Sequence, residues 1–372
     1  MDIKNFLGAI NSDFYSGVPD SLLKPLCSYL IDKYGNNSPH HIVAANEGNA
    51  VALAAGYYLA TKKIPLVYLQ NSGEGNIINP IASLLSEEIY SIPAIFVIGW
   101  RGEPGLKDEP QHICQGKVTL KLLEVMGIDY FILKQNTELY ELKNVMKKFN
   151  QSLSVGKQVA FVVSKNALTY DKKIFYSNNF IMRREDALEK IIEVAENDII
   201  ISTTGKISRE LFEIREKNHQ SHERDFLTVG SMGHTSSIAL GIALQKPEKR
   251  IWCVDGDGSI LMHMGALAVI CANNPKNFIH IALNNEAHES VGGMPTSASS
   301  VKLFEVAKAC NYSYVASADS FEKVDSELNY IKFHNQLSFL EIKVALGSRK
   351  NLGRPTTSPI ENKINFMEFI SK

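Results

Sequence analysis

Short apolar runs alternate with longer amphipathic stretches along almost the whole chain of 372 residues. The short runs are rich in β-branched residues and predict strands, whereas the longer stretches repeat apolar residues at helical spacing and predict helices. This alternation is typical of βαβ units, in which helices cover both faces of a parallel sheet. We therefore predict an α/β fold of doubly wound parallel sheets, with a length that accommodates about two domains of ~150 residues each.

The predicted elements form two groups with a similar alternation, which suggests a duplicated α/β unit. The first domain, residues 1–165, has predicted strands at 41–45, 66–70, 93–98, 130–133 and 158–163 and predicted helices at 49–62, 79–90, 118–126 and 138–151. The second domain, residues 183–372, has predicted strands at 198–202, 226–229, 250–254, 278–283, 314–317 and 338–344 and predicted helices at 183–197, 208–217, 235–244, 260–272, 301–310 and 321–333. Residues 166–182 are polar and break the pattern, so we expect them to form the linker.

Composition and charge argue against several classes of protein. The 39 basic and 40 acidic residues nearly balance, so we expect neither nucleic acid nor an anionic membrane as a partner. The longest apolar run, at 92–100, is far shorter than the ~20 residues of a membrane-spanning helix, and we expect no signal peptide. Five scattered cysteines without a C-x-x-C pair indicate reduced thiols, no zinc site and a cytoplasmic protein.

The segment between two predicted neighbouring strands carries the most informative motif. The first strand is followed by GDGS at 256–259, and the second by the pair NN at 284–285. In a parallel sheet, Asp257 and Asn285 would project from strand ends where open α/β sheets bind ligands, and their oxygens suit Mg²⁺. Gly256 and Gly258 permit the close approach of a bulky anion, and Ser259 would face that anion. A DGDG sequence alone is often only a turn, but its combination with NN is far more specific.

The spacing from GDG to NN resembles the metal–diphosphate motif of thiamine-diphosphate-dependent enzymes. In that family the GDG aspartate, the second asparagine and a backbone carbonyl two residues later hold the Mg²⁺ that anchors the diphosphate of the cofactor. The resemblance implies thiamine diphosphate and Mg²⁺ as cofactors, with Asp257, Asn285 and the carbonyl of Ala287 as metal ligands. It further implies that a pyrimidine-binding domain precedes a diphosphate-binding domain.

The same family requires a glutamate from its pyrimidine-binding domain, and the sequence HHIVAANEGNAVALAAGYY places Glu47 after a predicted strand. A carboxylic acid in an apolar pocket retains its proton more readily. The resemblance implies that Glu47 shares a proton with N1′ of the aminopyrimidine and thereby promotes formation of the reactive ylid. The alternative is that Glu47 only begins a helix and faces the helix dipole.

A third match is the glycine-rich segment TVGSMGHTSS. In related decarboxylases an apolar residue in this turn holds the two cofactor rings in a V shape, which assigns that role to Met232. The carbonyl of Gly230 and the N–H of Met232 would then contact the aminopyrimidine. The segment ISTTGK is similar to a loop that contacts the diphosphate, which assigns Thr204 and Gly205 there. A core methionine and an ordinary helix N-cap at Thr204 are the alternatives.

The resemblance narrows to short members of the family that lack a middle domain, because the predicted connection is too short to hold one. Four segments, SGVPDSLLKPL, YLQNSGEGNIINPIASL, GWRGEPGLKDEPQH and NNEAHESVGGMPT, look like decarboxylases of phosphonopyruvate or sulfopyruvate, and we favour phosphonopyruvate. The alternatives are sulfopyruvate decarboxylation, another reaction of the same cofactor such as carboligation, and a non-catalytic regulatory or binding subunit. The family also implies a homo-oligomer with active sites between subunits.

Both substrates are 2-oxo acids with a second strong anion, so the chain must offer groups that bind it. Arginine presents a planar fork to an oxyanion and lysine a compact charge, while His112 could pair with the anion or relay a proton as a catalytic residue. The candidate substrate-binding residues are Asn71, Ser72, Gly73, Arg101, Lys107, His112 and His288.

Overall fold

The computed structural model describes residues 1–172 and 174–372. The chain divides into two compact units, Met1–Phe175 and Tyr176–Lys372, which follow one another directly, so the described residues contain no middle domain. Each unit contains a six-stranded sheet whose paired strands are all parallel. The predicted α/β class is therefore confirmed. Residue 173, within the predicted linker, lies outside the described residues.

Within its described residues, 1–172 and 174–175, the first unit contains six strands and six α-helices. Its strands are β1 (Tyr15–Gly17), β2 (His41–Val43), β3 (Leu66–Gln70), β4 (Ala94–Gly99), β5 (Asp129–Leu133) and β6 (Gln158–Val163). Its helices are α1 (Ile3–Ile10), α2 (Lys24–Tyr34), α3 (Glu47–Thr61), α4 (Glu74–Pro80), α5 (Pro110–Val125) and α6 (Leu139–Ser154), with a 3₁₀ turn at Asn71–Gly73 and a π turn at Ile81–Leu85.

The second unit repeats this plan and adds a small hairpin. Its sheet strands are β7 (Ile199–Ser202), β8 (Asp225–Leu227), β9 (Ile251–Gly256), β10 (Phe278–Asn284), β13 (Tyr314–Ala318) and β14 (Ser338–Lys343), and the hairpin pairs β11 (Ala287–His288) with β12 (Met294–Pro295). Its helices are α7 (Arg184–Ala195), α8 (Lys206–Lys217), α9 (Thr235–Gln245), α10 (Asp257–Met262), α11 (Ala266–Asn273), α12 (Leu303–Ala309), α13 (Phe321–Phe333) and α14 (Pro359–Ile370), with 3₁₀ turns at Glu289–Val291 and Ser297–Ser300.

The two sheets have the same strand order. The first runs β2-β1-β3-β4-β6-β5, and the second runs β8-β7-β9-β10-β14-β13. In each sheet the connections reverse direction beside the first strand, between β1 and β3 or between β7 and β9. Open α/β sheets bind ligands outside the carboxyl ends of their strands at such a reversal. The topology therefore identifies one candidate binding edge in each unit.

The inner strands β4, β6, β9 and β10 are buried on both faces, as expected of parallel sheets covered by helices. Along β9, Trp252 and Val254 pack in one hydrophobic cluster, whereas Ile251 and Cys253 pack in another. This alternation follows from the two-residue period of a strand. Both faces of β9 are thus fixed by apolar packing, which holds the strand end and the residues after it in place.

Every predicted strand overlaps an observed one, but three predicted helices are wrong in their bounds. The helix predicted at 118–126 begins at Pro110, because proline is compatible with the first turn of a helix. The helix predicted at 79–90 begins at Glu74, ends at Pro80 and gives way to the π turn, because Pro80 lacks the N–H that the helical ladder needs. The helix predicted at 260–272 is interrupted at His263, which leaves helical geometry and whose ring lies against Gly233. The sequence patterns also missed α1, α2, α14, β1, β11 and β12.

The stretch 166–182 has contacts in both units. Thr169 bridges to Asp2 and Tyr170 donates to the Asp32 carboxylate in the first unit, whereas Met182 is buried in the second and its carbonyl accepts from Ala345. Among the described helices, none combines the length and apolar character needed to cross a bilayer.

Candidate active site

Asp257 lies directly after β9 and is joined to the end of β10 by hydrogen bonds. Its carboxylate is 2% exposed and accepts the Thr296 hydroxyl at 2.6 Å, and it also accepts backbone N–H groups, including that of Asn285. Burial raises the pKa of Asp257 to about 7, despite these hydrogen bonds. A bound cation would favour the ionised form, so the environment of this carboxylate suits a metal ligand.

Asn285 follows β10, whose residue Leu283 pairs with Gly256 of β9. Its side chain is buried, and Oδ1 accepts the N–H of Ala287 at 3.1 Å. Asn178 donates to the Asn285 carbonyl at 2.9 Å, which holds the backbone of this loop. The structure therefore brings Asp257, Asn285 and Ala287 together, as the resemblance implies for an oxygen-ligand site.

The glycine-rich turn after β8 is bonded to the residues after β7 and β9. Gly230 donates its N–H to Thr204 Oγ1 at 2.9 Å, and Gly233 donates to Ser259 Oγ at 3.1 Å. The Ser259 hydroxyl also contacts that of Thr203 at 3.1 Å. Thr204 does not cap α8, because Gly205 occupies the N-cap position. Thr204 and Ser259 therefore fix the turn rather than stand free at the surface.

Met232 and His288 meet at Gly258. A Cβ at Gly258 would lie 3.1 Å from the His288 ring and 3.3 Å from the Met232 methyl carbon. Only a glycine fits without displacing these neighbours. Met232 is partly exposed, in contrast to an ordinary core methionine. Burial lowers the pKa of His288 to about 4, so its ring is neutral near pH 7.

These residues fit a diphosphate held by a divalent cation. Two carboxylate or amide side chains and one carbonyl provide hard oxygen ligands of the kind that Mg²⁺ prefers. Helix α8 begins at Lys206, and its N-cap residue, Gly205, provides no side-chain cap, which leaves backbone N–H groups for an anion at the positive end of the helix. Gly256 carries no side chain, and a Cβ there would meet only Ile207 at 3.7 Å, so the space beside it is open to an approaching group.

A separate group of potential metal ligands lies inside the second sheet. Atoms of Cys253, Asp255 and His280 fall within 4.8 Å of one another, and all three residues are buried. Structural zinc sites are almost always four-coordinate. Three ligands in a position that excludes water are therefore a poor match for zinc, and the group is separate from the candidate site.

Glu47 is the first residue of α3, directly after the Asn46 N-cap, at the binding edge of the first unit. Its side chain is 5% exposed, and Asn76 Nδ2 donates to Oε2 at 2.7 Å. The backbone of Gly73 lies against the same carboxyl group, because a Cβ there would be 2.4 Å from the Glu47 carboxyl carbon. The carboxyl group is therefore held in one position by a hydrogen bond and by close packing.

Asn71 and Arg101 form a clamp between the ends of β3 and β4. Asn71 donates to the Arg101 carbonyl and the Thr119 hydroxyl at 2.8 and 2.9 Å, and it accepts the Arg101 N–H at 3.1 Å. The Arg101 guanidinium binds both oxygens of Asp108 and the Ser21 hydroxyl. Burial alone would raise the pKa of Asp108, but these bonds lower it. Asn71 and Arg101, which were both predicted to bind the substrate, thus already form hydrogen bonds within the first unit.

The remaining predicted substrate-binding residues differ in exposure. Ser72 is exposed and donates to Gln70 at 2.6 Å, and Lys107 is exposed on the loop before α5. His112 is buried, and its Nδ1 has no hydrogen-bond partner among the described residues. Burial, with a contribution from the Arg101 charge, lowers the pKa of His112 to about 4. His112 is therefore neutral near pH 7, which argues against a charge pair between its ring and an anion.

Sequence reasoning missed several residues that complete these arrangements. Thr296, Asn76 and Thr203 bind the predicted site residues through side-chain hydroxyl or amide groups. Asn76 ends the sequence NSGEGN, which belongs to one of the family-like segments, and this position is the sequence signal that points to it. Thr296 is the last residue of the segment NNEAHESVGGMPT, but nothing in that segment indicates that its hydroxyl would reach Asp257, 39 residues earlier in the chain.

Comparisons with known proteins agree with this geometry. The family model for the thiamine pyrophosphate enzyme, N-terminal TPP binding domain, matches residues 3–123, and that for the C-terminal TPP binding domain matches residues 203–342. A phosphonopyruvate decarboxylase of Streptomyces viridochromogenes is 32% identical over 96% of this chain and 91% of its own length. The chain belongs to the thiamine pyrophosphate enzymes. Thiamine pyrophosphate, or thiamine diphosphate, is accordingly its cofactor.

Two further relatives of this thiamine pyrophosphate enzyme match over most of their lengths. A phosphonopyruvate decarboxylase of Streptomyces hygroscopicus is 31% identical over 96% of this chain and 90% of its own length. A sulfopyruvate decarboxylase of Methanosarcina acetivorans is 31% identical over 91% of this chain and 90% of its own length. The matched relatives are thus decarboxylases of two related 2-oxo acids.

Proposed function

We propose that this enzyme converts 3-phosphonopyruvate to phosphonoacetaldehyde and CO₂ in phosphonate biosynthesis. The observation that carries the proposal is the similarity of almost the whole chain to two phosphonopyruvate decarboxylases. In the reaction the bond between the carboxylate and the 2-oxo carbon breaks, CO₂ leaves, and a proton takes its place. When bound, thiamine diphosphate supplies the carbon nucleophile and accepts the electron pair that the departing CO₂ leaves.

The second unit would hold the cofactor by its diphosphate. Asp257, Asn285 and the Ala287 carbonyl would bind Mg²⁺, and the backbone N–H groups at Gly205 would face the diphosphate. Two observations support these assignments: the hydrogen bonds of Asp257 and Asn285 at the ends of β9 and β10, and the start of α8, which has no side-chain cap. Met232 would support the cofactor rings beside Gly230, since its methyl group already packs against the GDG turn.

The first unit would supply the proton-transfer groups. Glu47 would hold a proton at N1′ of the aminopyrimidine, with Asn76 fixing the carboxyl orientation through Oε2. His112 would relay the proton that replaces CO₂: its neutral ring carries one N–H that can be donated while the other ring nitrogen takes up a proton from water, and its Nδ1 has no partner among the described residues. Arg101 would bind the substrate anion only if its guanidinium left the Asp108 carboxylate. Lys107 is exposed, so it is the more readily available of the two cations.

The test is a steady-state comparison of phosphonopyruvate, sulfopyruvate and pyruvate with thiamine diphosphate and Mg²⁺ supplied, following CO₂ and aldehyde release. We expect the largest kcat/KM for phosphonopyruvate and the smallest for pyruvate, which lacks the second anion. A larger kcat/KM for sulfopyruvate would replace the proposed substrate, and the 31% identity to a sulfopyruvate decarboxylase makes this the second candidate. Turnover of none of the three would favour a carboligating enzyme or a non-catalytic subunit.

Glu47→Gln separates a catalytic from a non-catalytic chain. The amide preserves the shape and the contact with Asn76 but cannot exchange a proton, so we expect cofactor binding within a few-fold of the unsubstituted protein and a loss of kcat on the order of 10²–10⁴-fold. Calorimetric titration with thiamine diphosphate and Mg²⁺ measures the first quantity. Unchanged kcat would remove Glu47 from the mechanism.

We further propose a cytoplasmic homo-oligomer with active sites between subunits, as the family resemblance implies. Light scattering would give the oligomeric state, and cell fractionation the compartment. Mixing the inactive Glu47→Gln and Asp257→Asn proteins under conditions that exchange subunits tests the shared site. Recovery of activity is expected if the two residues act from different subunits, and no recovery after demonstrated exchange would contradict it.

A further inference from the structure

The orientation of the Asn285 amide decides whether it can bind a cation. An asparagine side chain ends in an oxygen, which accepts, and an NH₂ group, which only donates. A metal ion binds the oxygen alone, and rotation of the amide by half a turn would present the wrong group. Some neighbouring group must therefore hold the NH₂ end away from the cation.

Glu289 is the group that holds the NH₂ end of the Asn285 side chain. Its Oε2 accepts the Asn285 NH₂ group at 3.0 Å, and its side chain is 14% exposed. An ionised carboxylate can only accept hydrogen bonds, so it discriminates between the two ends of the amide. The reversed amide would place Asn285 Oδ1 against a negatively charged oxygen. It would also replace the acceptor of the Ala287 N–H by an NH₂ group.

Glu289 is itself held from two other strand ends. Lys206, at the start of α8 after β7, binds Oε1 at 2.9 Å, and the N–H of Gly347, after β14, donates to Oε2 at 3.0 Å. One carboxylate thus joins the segments after β7, β10 and β14. This connects the metal loop to the helix start that faces the diphosphate in the proposed site.

We propose that Glu289 is a positioning residue that fixes the metal-binding orientation of Asn285. The inference rests on the proposed role of Asn285 as a Mg²⁺ ligand. Groups that orient metal ligands typically contribute 10–100-fold to metal affinity. We therefore expect Glu289→Ala to weaken divalent-metal binding by about 10–100-fold, without any contact between residue 289 and the metal.

The experiment measures metal binding rather than turnover. Mn²⁺ is titrated into the full-length protein with saturating thiamine diphosphate, and free Mn²⁺ is followed by electron paramagnetic resonance. Glu289→Gln retains an oxygen that can accept the Asn285 NH₂ group, so we expect it to recover most of the affinity lost in Glu289→Ala. Glu189→Ala is the matched control, since it removes a glutamate from an exposed ion pair with Lys217 in the same unit. We expect no change in its Mn²⁺ affinity.

A double substitution tests whether Glu289 acts through Asn285. Asn285→Ala alone should weaken Mn²⁺ binding, and adding Glu289→Ala should then cause less than a twofold further loss. Equal losses in both backgrounds would show a role independent of Asn285 and overturn the proposal. A Glu289→Ala protein within twofold of the control would overturn it as well.

The same titrations separate this inference from the proposed function. Loss of affinity in Asn285→Ala but not in Glu289→Ala would reject the positioning role while leaving the metal ligand in place. Unchanged affinity in Asn285→Ala would reject the ligand assignment and the positioning role together. Thermal unfolding of each variant without metal identifies any general loss of folding, and the Gln variant provides the comparison if the Ala variant does not fold.

Discussion

A buried carboxyl group in the first unit gives a quantitative prediction about stability. Glu74, at the start of α4, is 2% exposed, and Gln115 of α5 donates to its Oε2 at 3.0 Å. Its Oε1 has no hydrogen-bond partner in the described part of the chain. Burial raises the pKa of Glu74 from 4.5 to about 8, although the nearby polar side chains of Thr119 and Gln115 act in the opposite direction. Glu74 is therefore protonated in the folded protein at neutral pH.

The sign of the effect follows from proton uptake. In the unfolded chain the carboxyl group ionises near pH 4.5, whereas in the folded chain it keeps its proton until pH is about 8. Between these values the folded state binds more protons, so the free energy of unfolding falls by about 1.4 kcal/mol per pH unit. The full contribution is present below pH 4.5, and its loss, on the order of 4–5 kcal/mol, is complete above pH 8.

Glu74→Gln removes this titration while preserving the size of the side chain. Relative to the unsubstituted protein, we expect the variant to gain about 4 kcal/mol of unfolding free energy near pH 8.5 and less than about 1 kcal/mol near pH 5. Urea unfolding followed by circular dichroism at several pH values measures the difference, in which the other titrating groups cancel. Glu88→Gln, at an exposed position of the same unit, should show no such trend. A Glu74→Gln difference independent of pH would refute the reasoning.

Two further substitutions test steric and electrostatic arguments. Gly73→Ala should lower kcat on the order of 100-fold, because the added Cβ would displace the Glu47 carboxyl group. The control, Gly75→Ala, has open space around the added Cβ and should retain activity. Equal activity of the two variants would contradict the packing argument. Arg215→Met should lower the unfolding free energy in urea by about 3–5 kcal/mol, since it leaves the buried Asp225 carboxyl group without its two-bond partner. A loss below about 1 kcal/mol would contradict the importance of that pair.

Strands were predicted well where the residues are apolar on both faces. Segments 66–70 and 158–163 agree with β3 and β6 at both ends, because each is a continuous run that parallel packing buries on both sides. The strand β1 was missed, since its three residues include Ser16 and Gly17 and show no apolar period. Its position between β2 and β3, with partners on both sides, makes it a strand.

Local sequence pattern also identifies some residues of the candidate site and not others. Asp257, Asn285 and Glu47 each stand directly after a recognisable strand or at the start of a recognisable helix, so local pattern and motif spacing find them. The clamp between Asn71 and Arg101 and the pairing of Arg101 with Asp108 have no local signature. The sequence therefore assigned these side chains to substrate, while the fold engages them internally.

By itself, the sequence determined the α/β class, the strand ends that carry the candidate ligands and the family of the chain, because these depend on short-range periodicity and on motif spacing. Tertiary structure alone decided which groups surround those ligands. Tertiary packing brings together residues far apart in the chain, such as Thr296 with Asp257 and Glu289 with Lys206. Burial and hydrogen bonding, which set the protonation of Glu74 and the direction of the Asn285 amide, arise only from that packing.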